Sequence, residues 1–227
     1  MKLYTPLSLL CGLLIGASQF AYAEGELMVM PASTKVFNAH DQRVTVKNMG
    51  DAPLYLNINV QKVTNPGVTP EKKVNLGDLA QPGMLASPDK LTLGPGQTRS
   101  IVLKSLAEPK LEELYRLYIL PVRSLKIDNA PEDKITAPMS VAIGYGVLVR
   151  HMPAPDKQKS AWTHRCENGG VMLENTGNIR QIFTDVVYDK AKPAQTLAVF
   201  PGTPQYFPSK HMTLRVDEKP VTLDCQG

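Results

Sequence analysis

Long apolar runs, aromatic residues and charge of one sign are all scarce in this chain of 227 residues. The formal net charge is +4 and is spread along the chain, which is too weak to predict a nucleic-acid partner and is compatible with an anionic group on a partner. After the first residues, no apolar run is long enough to span a bilayer, so we expect a soluble product. No stretch is collagen-like or of low complexity.

The composition favours a globular chain that is not all-helical. Hydrophobic residues make up 43% and charged residues 20% of the chain, a balance that excludes a disordered protein. The 19 prolines are many for a chain with only 6% aromatic residues. Because proline interrupts helix interiors, this count argues against an all-helical fold.

The N-terminus has the pattern of a secretory signal peptide. Met1 and Lys2 give a short positive start, and residues 7–17 form an apolar run broken only by small residues. Residues 21–23 (AYA) fit the small-x-small cleavage rule, so we expect cleavage before Glu24 and an exported product. Cys11 suggests lipidation only weakly, because a large residue precedes it and apolar residues follow.

The exported chain keeps two cysteines, Cys166 and Cys225. An even pair in an exported protein predicts a disulfide, and two buried free thiols are the alternative. Metal binding is disfavoured because only two thiols are present and His164 lies too close to Cys166 to serve as a second arm.

Most of the chain has strand patterns. Residues 54–61 and 43–47 alternate apolar and polar residues with a period of two, which predicts strands with one buried face. Residues 100–104 form another short strand, and residues 114–122 are apolar on both faces, as expected of a central strand. Residues 135–149 are the longest strand candidate.

The composition changes after Arg150, where residues 151–159 are polar and rich in proline, and this predicts an interdomain linker. Short strands separated by turns continue to the end of the chain, an arrangement typical of β-sandwiches. We therefore expect an all-β protein of two sandwich domains, 24–150 and 151–227. The segment 110–115 is the one helix-like phrase and predicts a single turn that leads into a strand.

No familiar catalytic or metal motif is present. Ser87 and Lys90 match Ser-x-x-Lys by letter, but the residues after them predict a strand and a turn rather than the helix which that motif needs. Glu112 and Glu113 are adjacent and point to different sides of any regular element, so they are no acid–base pair. The four histidines show no metal spacing. An enzyme would need a site built from distant loops.

The long strand candidate ends in an unusual pattern. Met139, Val141, Ile143 and Tyr145 fall on one face, and only small residues lie between them. Such a strand can pack and still offer an edge, and β-strand addition is the known use of an exposed apolar edge. The alternative is an ordinary inner strand whose terminal Arg150 is solvated.

Several stretches together resemble the periplasmic chaperones of chaperone–usher pili, most closely the alternate type that serves class 5 fimbriae. No single stretch is as specific as a metal motif, and their order and spacing carry the resemblance. They are residues 28–37 (MVMPASTKVF), 65–69 with 87–101, 113–118 (ELYRLY), and 139–150 (MSVAIGYGVLVR) followed by 175–180 (NTGNIR).

The resemblance implies two immunoglobulin-like domains in a boomerang arrangement around a basic cleft. It implies a protein without cofactors that binds one pilin subunit in the periplasm and delivers it to an outer-membrane usher. The last strand of the first domain would fill the groove of a pilin that lacks its own last strand. An unoccupied strand of this kind also allows self-association of the free protein.

The resemblance also implies site residues. Arg150 matches the cleft cation at the end of the last strand, and Lys35 matches the cation of the first strand, although a one-residue shift would place Thr34 there. The two cations would bind the C-terminal carboxylate of the pilin. The chain has no aromatic-Arg-Pro phrase where the familiar members have one. The donated side chains would be those of Met139, Val141, Ile143 and Tyr145.

Two other classes of function stay open. A structural or adhesive two-domain sandwich of a surface fibre is the first, but such a component carries a spare N-terminal donor segment, and residues 24–26 are too short for one. An exported enzyme with a site assembled from loops is the second.

Overall fold

The computed structural model describes residues 26–122, 143–189 and 193–225. The predicted signal peptide at 1–23 lies outside these residues, and so do Met139 and Val141 of the predicted donor strand. Within the described ranges, no helix has the length and apolar character needed to cross a membrane.

Ten strands and a short 3-10 helix (Leu76–Asp78) make up the first part of the described chain. The strands are β1 (Leu27–Met30), β2 (Ser33–Val36), β3 (Gln42–Asn48), β4 (Leu54–Val63), β5 (Lys73–Asn75), β6 (Met84–Ser87), β7 (Lys90–Leu93), β8 (Thr98–Ser105), β9 (Glu113–Val122) and β10 (Tyr145–His151).

Seven strands follow a second 3-10 helix (Pro155–Lys157). They are β11 (Trp162–Glu167), β12 (Gly170–Asn175), β13 (Gln181–Val187), β14 (Gln195–Val199), β15 (Gln205–Phe207), β16 (His211–Val216) and β17 (Lys219–Asp224).

Strands β1–β10 form two sheets that we call the first sandwich. One sheet has the order β1-β3-β8-β6, and the other has the order β2-β10-β9-β4-β5, with β7 also paired to β4. The alternating residues predicted in 54–61 place Leu54, Leu56, Ile58 and Val60 in the core between the sheets. Burial of one face of each strand therefore holds the sheets together.

Strands β11–β17 form the second sandwich. A sheet of order β11-β12-β15 faces a sheet of order β14-β13-β16-β17. Phe183, Leu173 and Met212 are fully buried between them, and Trp162 packs edge-on against Phe183 with ring centroids 5.1 Å apart. The predicted disulfide is confirmed, because Cys166 of β11 is bonded to Cys225 just after β17 and so ties one sheet to the other.

A small apolar cluster joins the two sandwiches. Val63 and Leu114 on the outer face of the first sandwich are buried against Phe200 of the second, with Leu148 and Ala198 at the margin. Beside it, Thr203 Oγ1 donates to the Pro66 carbonyl at 2.9 Å. The junction is therefore a packed interface with its own buried side chains.

Two local expectations were wrong. His151, predicted to open a linker, is the last residue of β10 and is fully buried, because its ring packs inside the first sandwich beside Ser105. Residues 110–115 contain no helical turn, and β9 begins within them at Glu113, since Tyr115 is buried by pairing with both neighbouring strands.

Candidate functional site

The β10 strand has two differently paired edges. One edge pairs with β9 along the whole strand, from Tyr145 to His151. The other pairs with β2 in parallel, but only from Leu148 to His151. Among the described residues, Tyr145 to Val147 therefore have no strand on that side, and their backbone groups are available to an additional strand.

The side chains of this strand alternate between the core and the outside. Tyr145 and Val147 are register partners of Ile119 and Leu117, whose side chains are buried, so both face the core. Val147 is 1% exposed, whereas Tyr145 is 38% exposed, and Ile143, which continues the alternation, is 71% exposed. The row of apolar side chains thus begins in the core and continues beyond it into solvent.

The exposed row coincides with half of the predicted donor face. Ile143 and Tyr145 are present as accessible apolar side chains, while Met139 and Val141 lie outside the described residues. Between them, Gly144 has no room for a side chain, because a Cβ there would overlap the side chain of Leu120. The small residues noted in the sequence thus allow this segment to cross close to β9.

The two predicted cations are neighbours. Lys35 of β2 and Arg150 of β10 are register partners in a parallel pair, so their side chains leave the sheet on the same, outer face. Lys35 is exposed, and no carboxylate of the described residues lies within ion-pair distance of it. An exposed ammonium in this environment is available to an anion.

Arg150 has a different environment from the solvated one considered above. It is 9% exposed, and its Nε and Nη2 donate to Glu112 Oε1 and Oε2 at 2.6 and 2.9 Å. This bidentate pair is charge-assisted on both bonds. Glu112 is itself buried, so each charge satisfies the other away from water.

Glu112 also ties the two sandwiches together. Its Oε2 accepts the backbone N–H of Arg180 at 2.8 Å, and its own backbone N–H donates to the carbonyl of Asn178 at 2.8 Å. The Arg150–Glu112 pair therefore stands at the junction, between the end of β10 and the segment that leads into β13.

A second guanidinium, that of Arg180, lies at the same junction. Its side chain is half-buried and makes no hydrogen bond or ion pair with another described residue. Burial lowers the pKa of Arg180, the nearby Arg150 guanidinium lowers it further, and Glu112 opposes both. Sequence reasoning recognised residues 175–180 as a shared stretch but assigned no role to Arg180.

A buried polar cluster beneath the end of β10 was missed altogether. Ser105 Oγ lies 2.8 Å from His151 Nε2, and His151 Nδ1 lies 3.5 Å from Glu113 Oε2. Glu113 also accepts hydrogen bonds from Lys62 Nζ at 2.5 Å and Tyr115 Oη at 2.6 Å. Residues so far apart in the chain give no local signal of such a cluster.

The cluster has the residue types of a Ser-His-Glu triad but not the access. Ser105 is 8% exposed and His151 is fully buried, so no substrate reaches either. Burial raises the pKa of Glu113, but hydrogen bonds from His151, Lys62 and Tyr115 outweigh burial and hold it at about 2. Burial and the adjacent Glu113 raise the pKa of Tyr115. The arrangement is that of a structural network around a fixed carboxylate.

Metal chemistry finds no support in the described part of the chain, where no group of three or more His, Cys, Asp or Glu side chains is placed to hold an ion.

Comparison with known proteins gives consistent matches, although no family model matches the chain. It is 30% identical over 191 residues to a CFA/I fimbrial subunit of Escherichia coli, covering 84% of this chain and 76% of that protein. The structure of the class 5 fimbriae chaperone CfaA matches with a TM-score of 0.65 and 21% identity, covering 89% of this chain and 100% of the other.

A chain from the chaperone–tip adhesin complex of CFA/I fimbriae biogenesis matches with a TM-score of 0.70 and 23% identity, covering 88% of this chain and 98% of the other. These matches confirm the predicted all-β fold of two sandwich domains.

Proposed function

This chain belongs to the family of that CFA/I fimbrial protein and the class 5 fimbrial chaperones, and we propose that it captures fimbrial subunits, major or minor, in the periplasm by donor-strand complementation. It then delivers them to an outer-membrane usher. It does so by binding alone, without catalysis, cofactor or nucleotide.

The free edge of β10 is the observation that carries this proposal. A strand from a subunit that pairs along Tyr145–Val147 has its backbone donors and acceptors satisfied at once. The exposed row of Ile143 and Tyr145 then enters the subunit and fills a gap in its core. Val147, which is already packed in the first sandwich, fixes the position of the row.

Apolar burial makes this contact strong enough to hold an unfinished subunit. Burial of one large apolar side chain contributes roughly 1.5–3 kcal/mol, so two or more such side chains in a groove give a stable complex. The alternation of the strand also selects the register, because a slip by one residue would present glycine in place of the apolar side chains.

We assign the terminal carboxylate of the subunit to the outer face on which Lys35 and Arg150 lie side by side. Ser33, the first residue of β2, stands opposite Leu148, where the free edge ends. Lys35 lies two residues further along β2, about 7 Å away, and its long side chain reaches back over that distance. Arg150 adds positive charge behind it while it stays paired with Glu112.

The division at residue 150 into domains 24–150 and 151–227 is part of the proposal, and so is a periplasmic location, in which the Cys166–Cys225 disulfide is stable. A free apolar edge also favours self-association of the protein when no subunit is bound. Size-exclusion chromatography at several concentrations, with and without subunit, tests that last point.

Affinity purification of the tagged mature protein from periplasm, with neighbouring fimbrial genes co-expressed, tests the function. Wild-type protein is compared with Ile143→Asp, and Leu85→Asp serves as the matched control, because Leu85 is an exposed apolar residue on the opposite sheet. We expect a small β-rich subunit, in one-to-one ratio, with wild type and control but not with Ile143→Asp. Recovery of no subunit with wild type, or of equal amounts with Ile143→Asp, would overturn the proposal.

A further inference from the structure

We propose that Arg180 of the second sandwich completes the carboxylate site, so that the end of a bound subunit is held between the two sandwiches. The inference rests on the proposed function and adds a residue and a domain to it. Arg180 meets the carboxylate from one side, Lys35 meets it from the other, and Arg150 remains the buried partner of Glu112.

Backbone contacts hold Arg180 at the site. Its N–H donates to Glu112 Oε2 at 2.8 Å, and the same oxygen accepts from Arg150 Nη2 at 2.9 Å. Arg150 in turn stands beside Lys35 in register. Three cations from three separate segments therefore meet at one end of β10.

Charge is unbalanced there. Glu112 is the carboxylate that faces both guanidinium groups, and each of its oxygens is already occupied, Oε1 by Arg150 Nε and Oε2 by Arg150 Nη2 and the Arg180 backbone. The five N–H donors of the half-buried Arg180 guanidinium have no acceptor among the described residues. An incoming carboxylate supplies acceptors in the fork geometry that guanidinium groups bind best.

Other arginines of the second sandwich show the contrast. Arg215 is exposed and donates through Nε and Nη2 to the carbonyl of Glu218, and its Nη1 lies 3.6 Å from Asp185. Arg165 pairs with Glu167 and Glu174. Both have acceptors in their own sandwich, whereas Arg180 faces the junction without one among the described residues. The physical cost of that position is offset when an anion binds.

The test uses Arg180→Gln in the full-length mature protein, with Arg215→Gln as the control for loss of one positive charge in the same sandwich. The probe is a synthetic peptide of the C-terminal strand of the co-purified subunit, made with a free carboxylate and with an amide. Binding of each peptide and the thermal midpoint of each variant are measured.

We expect wild type and Arg215→Gln to bind the acid peptide roughly tenfold more tightly than the amide, the effect of one charge-assisted contact. Arg180→Gln should lose most of that preference and bind the amide as wild type does. Its thermal midpoint should be unchanged or higher, because the charge removed is one that burial and Arg150 disfavour.

The outcomes separate this inference from the proposed function. Full acid-over-amide preference in Arg180→Gln overturns the inference alone, and so does a lowered thermal midpoint with equal loss of both peptides, which indicates a structural role. If wild type binds neither peptide, the proposed function fails, and the inference that rests on it fails with it.

Discussion

Lys35 and Arg150 occupy paired positions on two adjacent parallel strands and point to the same side of the sheet, yet one is in solvent and the other is buried. The difference comes from Glu112, which lies within hydrogen-bond distance of Arg150 and has no ion pair with Lys35. Two cations that look equivalent in the sequence therefore have separable effects.

Replacement of Lys35 should affect binding and not folding. Lys35→Gln is expected to weaken capture of subunits about tenfold, the value of one charge-assisted contact, and to change the free energy of unfolding by less than about 0.5 kcal/mol, as exposed substitutions do. Peptide binding and urea denaturation measure the two effects. Lys104→Gln, an exposed change on the other sheet, is the control and should change neither. Equal capture by Lys35→Gln would remove Lys35 from the site.

Replacement of Glu112 should have the opposite profile. Glu112→Gln leaves the Arg150 guanidinium buried without a countercharge, which costs about 3–5 kcal/mol, and it weakens the link to the Arg180 backbone. Urea denaturation measures the loss, and small-angle scattering should show a wider range of interdomain orientations. Lys157→Gln, which breaks the solvent-exposed pair with Glu108, is the control and should have little effect. Wild-type stability in Glu112→Gln would show that the pair does not support the junction.

Acid should weaken the first sandwich through Glu113. The pKa of this carboxyl in the folded protein is about 2, below its ordinary value of 4.5, so its contribution is complete above pH 4.5 and is lost as the pH falls toward 2. That contribution is about 3 kcal/mol. Urea denaturation across this range should show a steeper loss for wild type than for Glu113→Gln, which has no proton to gain. Parallel curves would exclude Glu113 as the source.

Loss of the disulfide should destabilise the second sandwich. The bond joins residues 59 positions apart, and closure of a loop of that length stabilises a protein by about 4 kcal/mol in the chain-entropy model. Reduction and alkylation should lower the denaturation midpoint and increase hydrogen exchange in β11–β17 first. Intact mass before and after reduction counts the thiols. Alkylation of both cysteines without reduction would show that the bond is absent from the protein in solution.

The strands were predictable where one face of each is buried. Residues 54–61 were expected as a strand, and β4 covers them and extends to Val63. Both register and burial follow from the period of two, so local sequence was sufficient. The free edge of β10 was also suggested by sequence, because small residues alternate with apolar ones there.

The polar junction was not predictable in the same way. Glu112 and Arg180 are 68 residues apart, and their contact exists only because the sandwiches pack at Phe200. Arg150 was recognised as a cation at the end of a strand, but its burial depends on that same long-range contact. His151 was misplaced because the prolines after it suggested a linker, whereas its ring is held by Ser105.

The short overlap between β2 and β10 has a consequence for selectivity. Because β2 already occupies the edge of β10 from Leu148 onward, it is an end-stop for any strand that adds before it. An added strand is thus aligned from its last residue backward, whatever precedes it. Proteins of different size and surface are then accepted alike if their final segments have matching length, and one chaperone can serve every component of a fibre.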